Sequence, residues 1–390
     1  MITSGTLLKG SSGRSYTLGA EIAHGGEGIV FHTDSADKVA KIYINNPEEN
    51  EKKILYMTGL EVNTRTSGPD ATPIIAWPED ALYCEDKFVG YIMPMVKDTM
   101  PIFQVSRRGK RAEEFFGGKD SYSWITHMTI AFNLANTVRY LHEMGCIIGD
   151  MNGKNIVVHK NGLVTLLDVD SFDLTDPDTG NHYPCVVGRP EFLPPELQGK
   201  DLRNAKFTVH SDEFGLAVHI FRLLLNNRHP FDVKINQEGS GSVSESHQEY
   251  NISMGKCAYV RTMADITIPP NEPTMDMLPD ELKQDFENTF NYTDENAVLP
   301  ETLAKRTTAQ KWYEDLKDLA IRWQELFQKC GEHPFHYYLK SKNVCEFCRV
   351  GADGPITGPG PGPQPPKNGC WILWLLIGIV ALWIIIGYSG

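Results

Sequence analysis

The chain has 390 residues, 41% of them hydrophobic, which is enough for one large or two modest domains with a sizeable core. Its formal net charge is −13, from 50 acidic and 37 basic residues. That balance argues against a nucleic-acid-binding protein, because such proteins carry a basic face. The first residues show no charged segment followed by an apolar run, so no secretory signal is predicted. Sparse cysteines favour a reduced, cytosolic main domain over a disulfide framework.

Strand-like runs dominate the first hundred residues, for example residues 28–31 and 38–43. A glycine-rich segment, Ala23-His24-Gly25-Gly26-Glu27-Gly28-Ile29-Val30-Phe31, lies between two such runs. Glycines let backbone amides approach phosphates closely, although a simple hairpin turn is the commoner reading of such a segment alone. Lys41 follows in an apolar strand, where a lysine either binds phosphates or extends along a sheet edge.

Helical periodicity dominates later in the chain, as in residues 130–142 and 214–225. We therefore predict an α+β fold with a strand-rich small lobe, about residues 1–95, before a helical large lobe, about residues 96–325. The polar stretch 236–273 resists assignment and is predicted to be an insertion or a mobile loop.

The candidate functional residues occur in a fixed order along the chain. A helix-like segment at 50–55 follows Lys41, and the run 138–158 contains Asp150 and, five residues later, Asn155. Asp168 ends a Leu-Leu-Asp run, and residues 188–196 read Gly-Arg-Pro-Glu-Phe-Leu-Pro-Pro-Glu. The segments 212–217 and 305–309 complete the set. Any one of these motifs alone is weak evidence for a protein family, but seven motifs in order are strong evidence.

This ordered set, over roughly residues 16–320, resembles the protein kinase superfamily. The resemblance implies ATP and Mg²⁺ as cofactors, Asp150 as the catalytic residue, and Asn155 and Asp168 as Mg²⁺ ligands. It implies that Glu51 steadies Lys41, and that a hinge at residues 93–96 reads the adenine edge. The ATP-binding residues implied are Ala23, Gly25, Gly26, Gly28, Val30, Lys41, Glu51, Met93 and Met95. The structural residues implied are Glu196, Asp212 and Arg306, with Arg306 pairing with Glu196.

Four positions depart from the kinase pattern. Ala23 replaces the first loop glycine, Gly149 replaces the Arg before the catalytic Asp, Asp170 replaces the Gly of Asp-Phe-Gly, and Asn152 replaces a Lys. The missing Arg puts control by activation-loop phosphorylation in doubt. Two alternatives therefore stay open beside an active protein Ser/Thr kinase. One is a pseudokinase that binds nucleotide and scaffolds partners at the membrane; the other is a small-molecule or lipid kinase.

A second site is predicted within residues 326–350. Cys345-Glu346-Phe347-Cys348 is a common zinc half-site, and Cys330 with one histidine completes a tetrahedron. His336 is the preferred ligand by resemblance to similar bacterial kinases, whereas His333 has the simpler spacing from Cys330. Ordinary thiols and a Cys345–Cys348 redox pair are the alternatives.

The end of the chain is predicted to reach a membrane. Residues 351–369 are rich in Gly and Pro and form an extended linker. Residues 371–388 are uncharged and as a helix would span roughly 27 Å, so 370–388 is predicted as a single transmembrane helix with the kinase-like domain cytoplasmic. A buried core helix is the alternative.

A kinase-like domain, a Cys/His knuckle and a membrane segment together resemble a group of bacterial kinase-like proteins. That resemblance implies protein substrates and, as partners, a PP2C-type phosphatase and a von Willebrand A-domain protein. No nucleic-acid partner is expected.

Overall fold

The computed structural model describes residues 2–66, 71–235 and 247–352. Its strands are β1 (Leu7–Gly10), β2 (Ser15–His24), β3 (Gly28–Thr33), β4 (Lys38–Tyr43), β5 (Asp80–Cys84), β6 (Lys87–Pro94), β7 (Thr99–Pro101), β8 (Ile156–His159), β9 (Val164–Leu166), β10 (Leu174–Thr175), β11 (His182–Tyr183), β12 (Lys234–Ile235), β13 (Ile266–Thr267), β14 (Phe327–Lys329) and β15 (Tyr337–Leu339).

Its helices are α1 (Glu48–Gly59), α2 (Ile102–Ser106), α3 (Lys110–Phe115), α4 (Trp124–Glu143), α5 (Val209–Leu224), α6 (His247–Ser253), α7 (Asp280–Phe290), α8 (Pro300–Leu303), α9 (Ala309–Leu326) and α10 (Glu346–Val350). Short 3-10 turns cover Val169–Ser171, Pro190–Phe192, Pro195–Leu197 and Met275–Met277. The predicted α+β class is confirmed, with strands concentrated in the first hundred residues and helices after them.

The chain forms two compact units. Of the described residues, the first unit contains those within Met1–Thr99 and Thr165–Pro184, and the second contains those within Met100–Val164 and from Cys185 to residue 352. Sequence analysis placed 165–184 with the helical part of the chain. The structure instead joins this segment to the first unit, because Leu166 bridges Ile75 in parallel and Thr165 Oγ1 donates to the Pro73 carbonyl.

The first unit is built on a closed barrel with the strand order β1-β2-β3-β4-β6-β5. Buried and exposed side chains alternate along β1 and the start of β2, as expected for strands with one face on a core. The barrel core consists of Leu8, Tyr16, Leu18, Phe31, Ala40, Ile42, Leu82, Val89 and Ile92.

Two residues, Gly90 and Asp80, have close contacts with neighbouring strands of this barrel. Gly90 of β6 pairs with Ile42 of β4, and a Cβ at Gly90 would lie 2.0 Å from the Lys41 carbonyl oxygen, so only glycine fits there. Buried Asp80 accepts hydrogen bonds from Ser11 Oγ, Ser12 N, Ser12 Oγ and Tyr16 OH. These bonds attach the β1–β2 turn to the start of β5.

Helix α1 covers the barrel through Ile54 and Met57, both fully buried. Trp77 Nε1 donates a 2.9 Å hydrogen bond to the Met57 carbonyl near the end of the helix. The carbonyl groups in the last turn of a helix lack intrahelical partners, so this bond helps to fix that end.

The second unit is a helical body around α4, α5, α7 and α9. Helix α4 is buried on almost every side, which explains its long apolar run. Capping boxes start α4 at Ser123 and α5 at Thr208, so both helix starts have side-chain partners. Phe221 of α5 packs edge-on against Phe286 of α7, which forms an aromatic core.

Among the helices that the structure describes, none is both long and apolar enough to cross a bilayer. The predicted transmembrane helix at 370–388 and nearly all of the 351–369 linker lie outside the described residues.

Candidate active site

Lys41 lies in β4 and is almost completely buried. Its Nζ donates to Asp168 Oδ1 at 2.6 Å and to both carboxylate oxygens of Asp170, at 2.8 and 2.7 Å. Burial alone would lower the pKa of Lys41, but the charges of Asp170 and Asp168 outweigh it and raise that pKa. Lys41 therefore stays cationic within the first unit.

Two tyrosines complete the surroundings of Asp170. Tyr43 OH donates to Asp170 Oδ2 at 2.8 Å, and Tyr91 OH donates to Oδ1 at 3.0 Å. Burial by itself raises the pKa of Asp170, but the Lys41 charge and these hydrogen bonds lower it below its ordinary value. Burial raises the pKa of both tyrosines, and Asp170 raises it further.

Asp170, Tyr43 and Tyr91 are site residues that the sequence motifs do not single out. In the kinase pattern Asp170 is only a departure from the usual glycine. A signal for the tyrosines was available, because Tyr43 lies two residues after Lys41 and so shares its face of β4. The assignment of Tyr91 needed the strand register, in which Lys41 pairs with Tyr91.

The predicted partner of Lys41, Glu51, has a different contact. Glu51 Oε1 accepts a 2.9 Å hydrogen bond from Tyr83 OH, and burial together with this bond raises the pKa of Tyr83 to about 12. The expected Lys41–Glu51 pair is therefore corrected to a Lys41–Asp170 pair. The physical reason is that Asp170 reaches Lys41 with both of its carboxylate oxygens from within the first unit.

The glycine-rich segment forms the β2–β3 hairpin. Ala23 pairs with Val30, and Gly25 N donates to the Gly28 carbonyl at 2.9 Å. A Cβ at Gly28 would lie 3.4 Å from the Cε and Cγ atoms of Lys41, while a Cβ at Gly26 would meet nothing within 4 Å. The hairpin backbone thus runs beside the Lys41 side chain, in keeping with a phosphate-approaching loop.

Of the hinge residues, Met93 pairs with Val39 at the end of β6. Met95 N donates to the Asp37 carbonyl at 2.8 Å. The amide of Met95 is therefore already engaged inside the first unit, which leaves the predicted adenine contact to other backbone groups of 93–96.

The predicted catalytic loop belongs to the second unit. Asn155 Nδ2 donates to Asp150 Oδ2 at 3.3 Å, so the structure brings these two residues together. Buried Asp212 accepts from Ile148 N at 2.7 Å and from Gly149 N at 2.9 Å. Asp212, in the first turn of α5, thereby fixes the backbone that leads into Asp150.

Gly149 occupies the position where kinases carry an Arg. Its φ of +74° is in the left-handed region, and a Cβ there would lie 2.7 Å from Cys185 Sγ. Cys185 is fully buried and packs in a cluster with Leu193, Leu197 and Phe207. Apolar packing therefore occupies the surroundings of this position, and no charged side chain is available from residue 149 itself.

Buried Arg306 forms a bidentate ion pair with the partly buried Glu196. Arg306 Nη1 and Nη2 each lie 2.7 Å from a carboxylate oxygen of Glu196, and Nη1 also donates to the His210 carbonyl. The Arg306 side chain is 1% exposed. The structure thus joins two segments that are 110 residues apart in the chain, as the kinase resemblance implies.

The donor chemistry of the predicted Mg²⁺ ligands fits a hard cation. Asp168 and Asn155 both offer oxygen atoms, and the Asp168 side chain is 41% exposed although it contacts Lys41. Asp168 has φ +56°, which directs the chain into the Val169–Ser171 turn.

A Cys/His cluster follows α9. The ligand atoms of Cys330, His336, Cys345 and Cys348 all lie within 4.8 Å of one another. Cys330 Sγ is 3.6 Å from Cys348 Sγ, and His336 Nδ1 is 3.4 Å from Cys348 Sγ and 3.7 Å from Cys345 Sγ. A tetrahedral zinc ion with bonds of about 2.0–2.3 Å separates its ligands by roughly 3.5–3.8 Å. These three distances, 3.4–3.7 Å, are close to that spacing, with His336 as the histidine, and the cysteines are free thiols.

The cluster is attached to the helical body. It lies around the β14–β15 hairpin, in which Gln328 pairs with Tyr338. Trp124 N, at the start of α4, donates to the Phe335 carbonyl at 2.9 Å. The Arg108 guanidinium lies 4.7 Å from the ring centroid of Phe335. The predicted 326–350 segment is therefore packed against the helices of the second unit, to which it belongs.

Comparison with known proteins decides the family. Residues 16–294 match the family described as the protein kinase domain. The chain belongs to the protein kinase family. This confirms the resemblance drawn from the ordered motifs.

The chain is also similar to individual kinases. It is 28% identical over 353 residues to protein kinase YegI of Escherichia coli K12, covering 89% of this chain and 50% of that protein. It is 24% identical over 218 residues to the putative tyrosine-protein kinase C03B1.5 of Caenorhabditis elegans, covering 53% of this chain and 60% of that protein. The chain spans about half the length of the bacterial relative.

Among solved structures, a ROP18 kinase domain in complex with AMP-PNP and sucrose covers 82% of this chain and 87% of its own. The sequence identity is 14% and the TM-score is 0.46.

Proposed function

We propose that this chain is an active kinase that transfers phosphate from ATP to Ser or Thr hydroxyls of proteins at the cytoplasmic face of a membrane. The observation that carries the proposal is Asp150, held on a backbone that Asp212 fixes and contacted by Asn155. A carboxylate in that place can orient a substrate hydroxyl and accept its proton.

Each functional residue has a defined part in this proposal. Asp150 orients the hydroxyl and takes its proton, and Lys41 holds the α- and β-phosphates with its positive charge. The glycine hairpin presents backbone amides to the phosphates. Asn155 and Asp168 would hold Mg²⁺, and the bound ion would neutralise part of the phosphate charge.

The test is a radiolabelled ATP assay of the full chain in detergent, with a panel of candidate proteins, beside Asp150→Asn. We expect transfer to serine or threonine that falls by roughly 10²–10⁴-fold in the variant, since one positioned acid–base group is lost. ATP affinity should stay nearly unchanged. Transfer at full rate by Asp150→Asn would exclude the assignment of Asp150, and phosphotyrosine as product would exclude the Ser/Thr assignment.

A pseudokinase is the second candidate. It is favoured by the contacts of Lys41, which already binds two carboxylates, and by Gly149 in place of Arg. The assay above separates the two candidates. Tight ATP binding by both proteins, with no transfer by either one to itself or to any partner, would favour the pseudokinase.

We also propose membrane attachment through residues 371–388, supported by 18 consecutive uncharged, mostly apolar residues. The test is a fusion of residues 365–390 to a soluble reporter, followed by cell fractionation. The reporter should stay with the membrane in alkaline carbonate, and its release there would contradict the anchor. The PP2C-type phosphatase and the von Willebrand A-domain protein are proposed partners on resemblance alone.

Finally, we propose that Cys330, His336, Cys345 and Cys348 bind a structural zinc ion. Four protein ligands leave no open position, which is the pattern of structural rather than catalytic zinc. Elemental analysis of the full chain should give about one zinc per chain. Cys348→Ser should lose it, while Cys84→Ser, which alters a similarly half-buried thiol, should keep it. Zinc-free wild type purified without chelator would reject the site.

A further inference from the structure

We propose that Asp170 is the positioning residue for Lys41, the part that the kinase resemblance assigned to Glu51. This inference rests on the proposed nucleotide-binding function. It concerns only side chains of the first unit, where Lys41 Nζ lies 2.7 and 2.8 Å from the two carboxylate oxygens of Asp170.

The local backbone directs Asp170 inward. Asp168 adopts a left-handed φ of +56°, and Ser171 returns two hydrogen bonds to the Asp168 carbonyl, from its N at 3.2 Å and its Oγ at 2.8 Å. The short turn between them carries Asp170 into the barrel side of the unit. As a result the Asp170 side chain is 6% exposed, whereas that of Asp168 is 41% exposed.

Both carboxylate oxygens of Asp170 accept hydrogen bonds, which come from three residues. Its Oδ1 accepts from Lys41 and Tyr91, and its Oδ2 accepts from Lys41 and Tyr43. Turning this carboxylate toward a metal ion would leave the buried hydroxyls of Tyr43 and Tyr91 without this acceptor and would remove two of the hydrogen bonds of Lys41, which is costly in the interior. Asp168 accepts from Lys41 through one oxygen and is half-exposed, so the two carboxylates have separate tasks.

The position of Lys41 is therefore set by the barrel and the turn, not by α1. Lys41 and Tyr43 share a strand, Tyr91 pairs with Lys41 across β4 and β6, and Asp170 closes the group. Glu51 of α1 instead contacts Tyr83 on β5. When Asp168 serves a cation, Lys41 keeps Asp170 as its counterion and stays in place for phosphates.

The first experiment measures the affinity of the full chain for a non-hydrolysable ATP analogue with Mg²⁺ by calorimetry. Asp170→Asn should weaken binding at least tenfold, and Tyr43→Phe severalfold. Tyr16→Phe is the matched control, because Tyr16 also donates from a buried hydroxyl to a buried carboxylate, Asp80 at 2.9 Å, away from Lys41. It should change the affinity by less than twofold.

Three results would overturn the proposal. One is a loss below twofold for Asp170→Asn, and another is an equal loss for Glu51→Gln and Asp170→Asn. The third is additivity of Lys41→Met and Asp170→Asn, because a residue that acts through Lys41 has no further effect once Lys41 is gone.

A second readout separates this inference from the proposed function. If the wild type binds no nucleotide, the proposed function fails, but urea unfolding still tests whether Asp170 is the counterion of Lys41. Four proteins are compared: the wild type, Lys41→Met, Asp170→Asn and the double variant. The shifts of the unfolding midpoint should be strongly non-additive. Additive midpoint shifts would mean that Asp170 is not the counterion of Lys41.

Discussion

Replacing Gly149 by Ala tests whether apolar packing occupies the position that carries Arg in other kinases. Two separate costs follow from the structure. An L-residue at φ +74° costs about 1–2 kcal/mol, since its Cβ crowds the backbone. The new Cβ would also lie 2.7 Å from Sγ and 2.8 Å from Cβ of buried Cys185, and overpacking of this kind costs about 1–3 kcal/mol. Gly149→Ala should therefore lower the free energy of unfolding by roughly 2–5 kcal/mol.

Gly145 provides a matched control for the backbone cost. Its φ is +73°, nearly the same as that of Gly149, but a Cβ there would meet nothing within 4 Å. Gly145→Ala should therefore cost only about 1–2 kcal/mol. The difference between the two variants, measured by urea unfolding, isolates the contact with Cys185.

A double variant completes this test. Cys185→Gly removes both contacting atoms, so Gly149→Ala should cost less in that background, by about the 1–3 kcal/mol of overpacking. Phosphate transfer should fall with Gly149→Ala, because the Gly149 amide is bonded to Asp212 and directly precedes Asp150. Equal costs for Gly149→Ala and Gly145→Ala, with no coupling to Cys185, would refute the reasoning.

Two further variants test buried charges in the second unit. Burial raises the pKa of Glu213 to about 8, so the folded protein favours the protonated carboxyl. The stability that this carboxyl contributes is full below its unfolded pKa of 4.5 and is lost as pH rises to about 8. Glu213→Gln should therefore be more stable than wild type at pH 8.5, by on the order of several kcal/mol, and little more stable at pH 4; equal gains at both pH values in urea unfolding would contradict this. Arg306→Ala should cost about 3–5 kcal/mol, because it removes a buried guanidinium and leaves the partly buried carboxylate of Glu196 without its partner. Arg322→Ala removes an exposed pair and should change stability little. Similar thermal shifts for both arginine variants would argue against a strong buried pair.

Local patterns were sufficient for much of the architecture. The apolar run 38–43 is β4, the periodic segment 214–225 lies within α5 apart from its last residue, and the segment 130–142 lies inside the longer α4. These elements can be predicted from sequence because each buries one face or its whole surface in a core, and such burial requires hydrophobic residues at regular intervals. The Cys345–Cys348 half-site could be predicted for a similar reason, since ligand spacing on a turn is local.

The first residues of the helices were harder to predict from sequence. The α4 prediction began at residue 130, six residues after the observed start at Trp124. The start depends on a capping box between Ser123 and Thr126, in which threonine replaces the usual Glu or Gln. The extra residues of α4 are buried by tertiary packing, which a short window of sequence does not contain.

The sequence alone determined the protein kinase family, the order of the functional motifs and most of the candidate metal ligands, because these depend on residue types at fixed separations along the chain. The choice between His333 and His336 stayed open in the sequence, and the structure places His336 beside the three cysteines. Tertiary structure decided which carboxylate holds Lys41. Glu51 is ten residues from Lys41 and Asp170 is 129 residues away, yet the pair is formed with Asp170. The reason is three-dimensional: a left-handed Asp168 turns Asp170 inward, and two tyrosines that meet only through strand pairing fix its carboxylate beside the lysine.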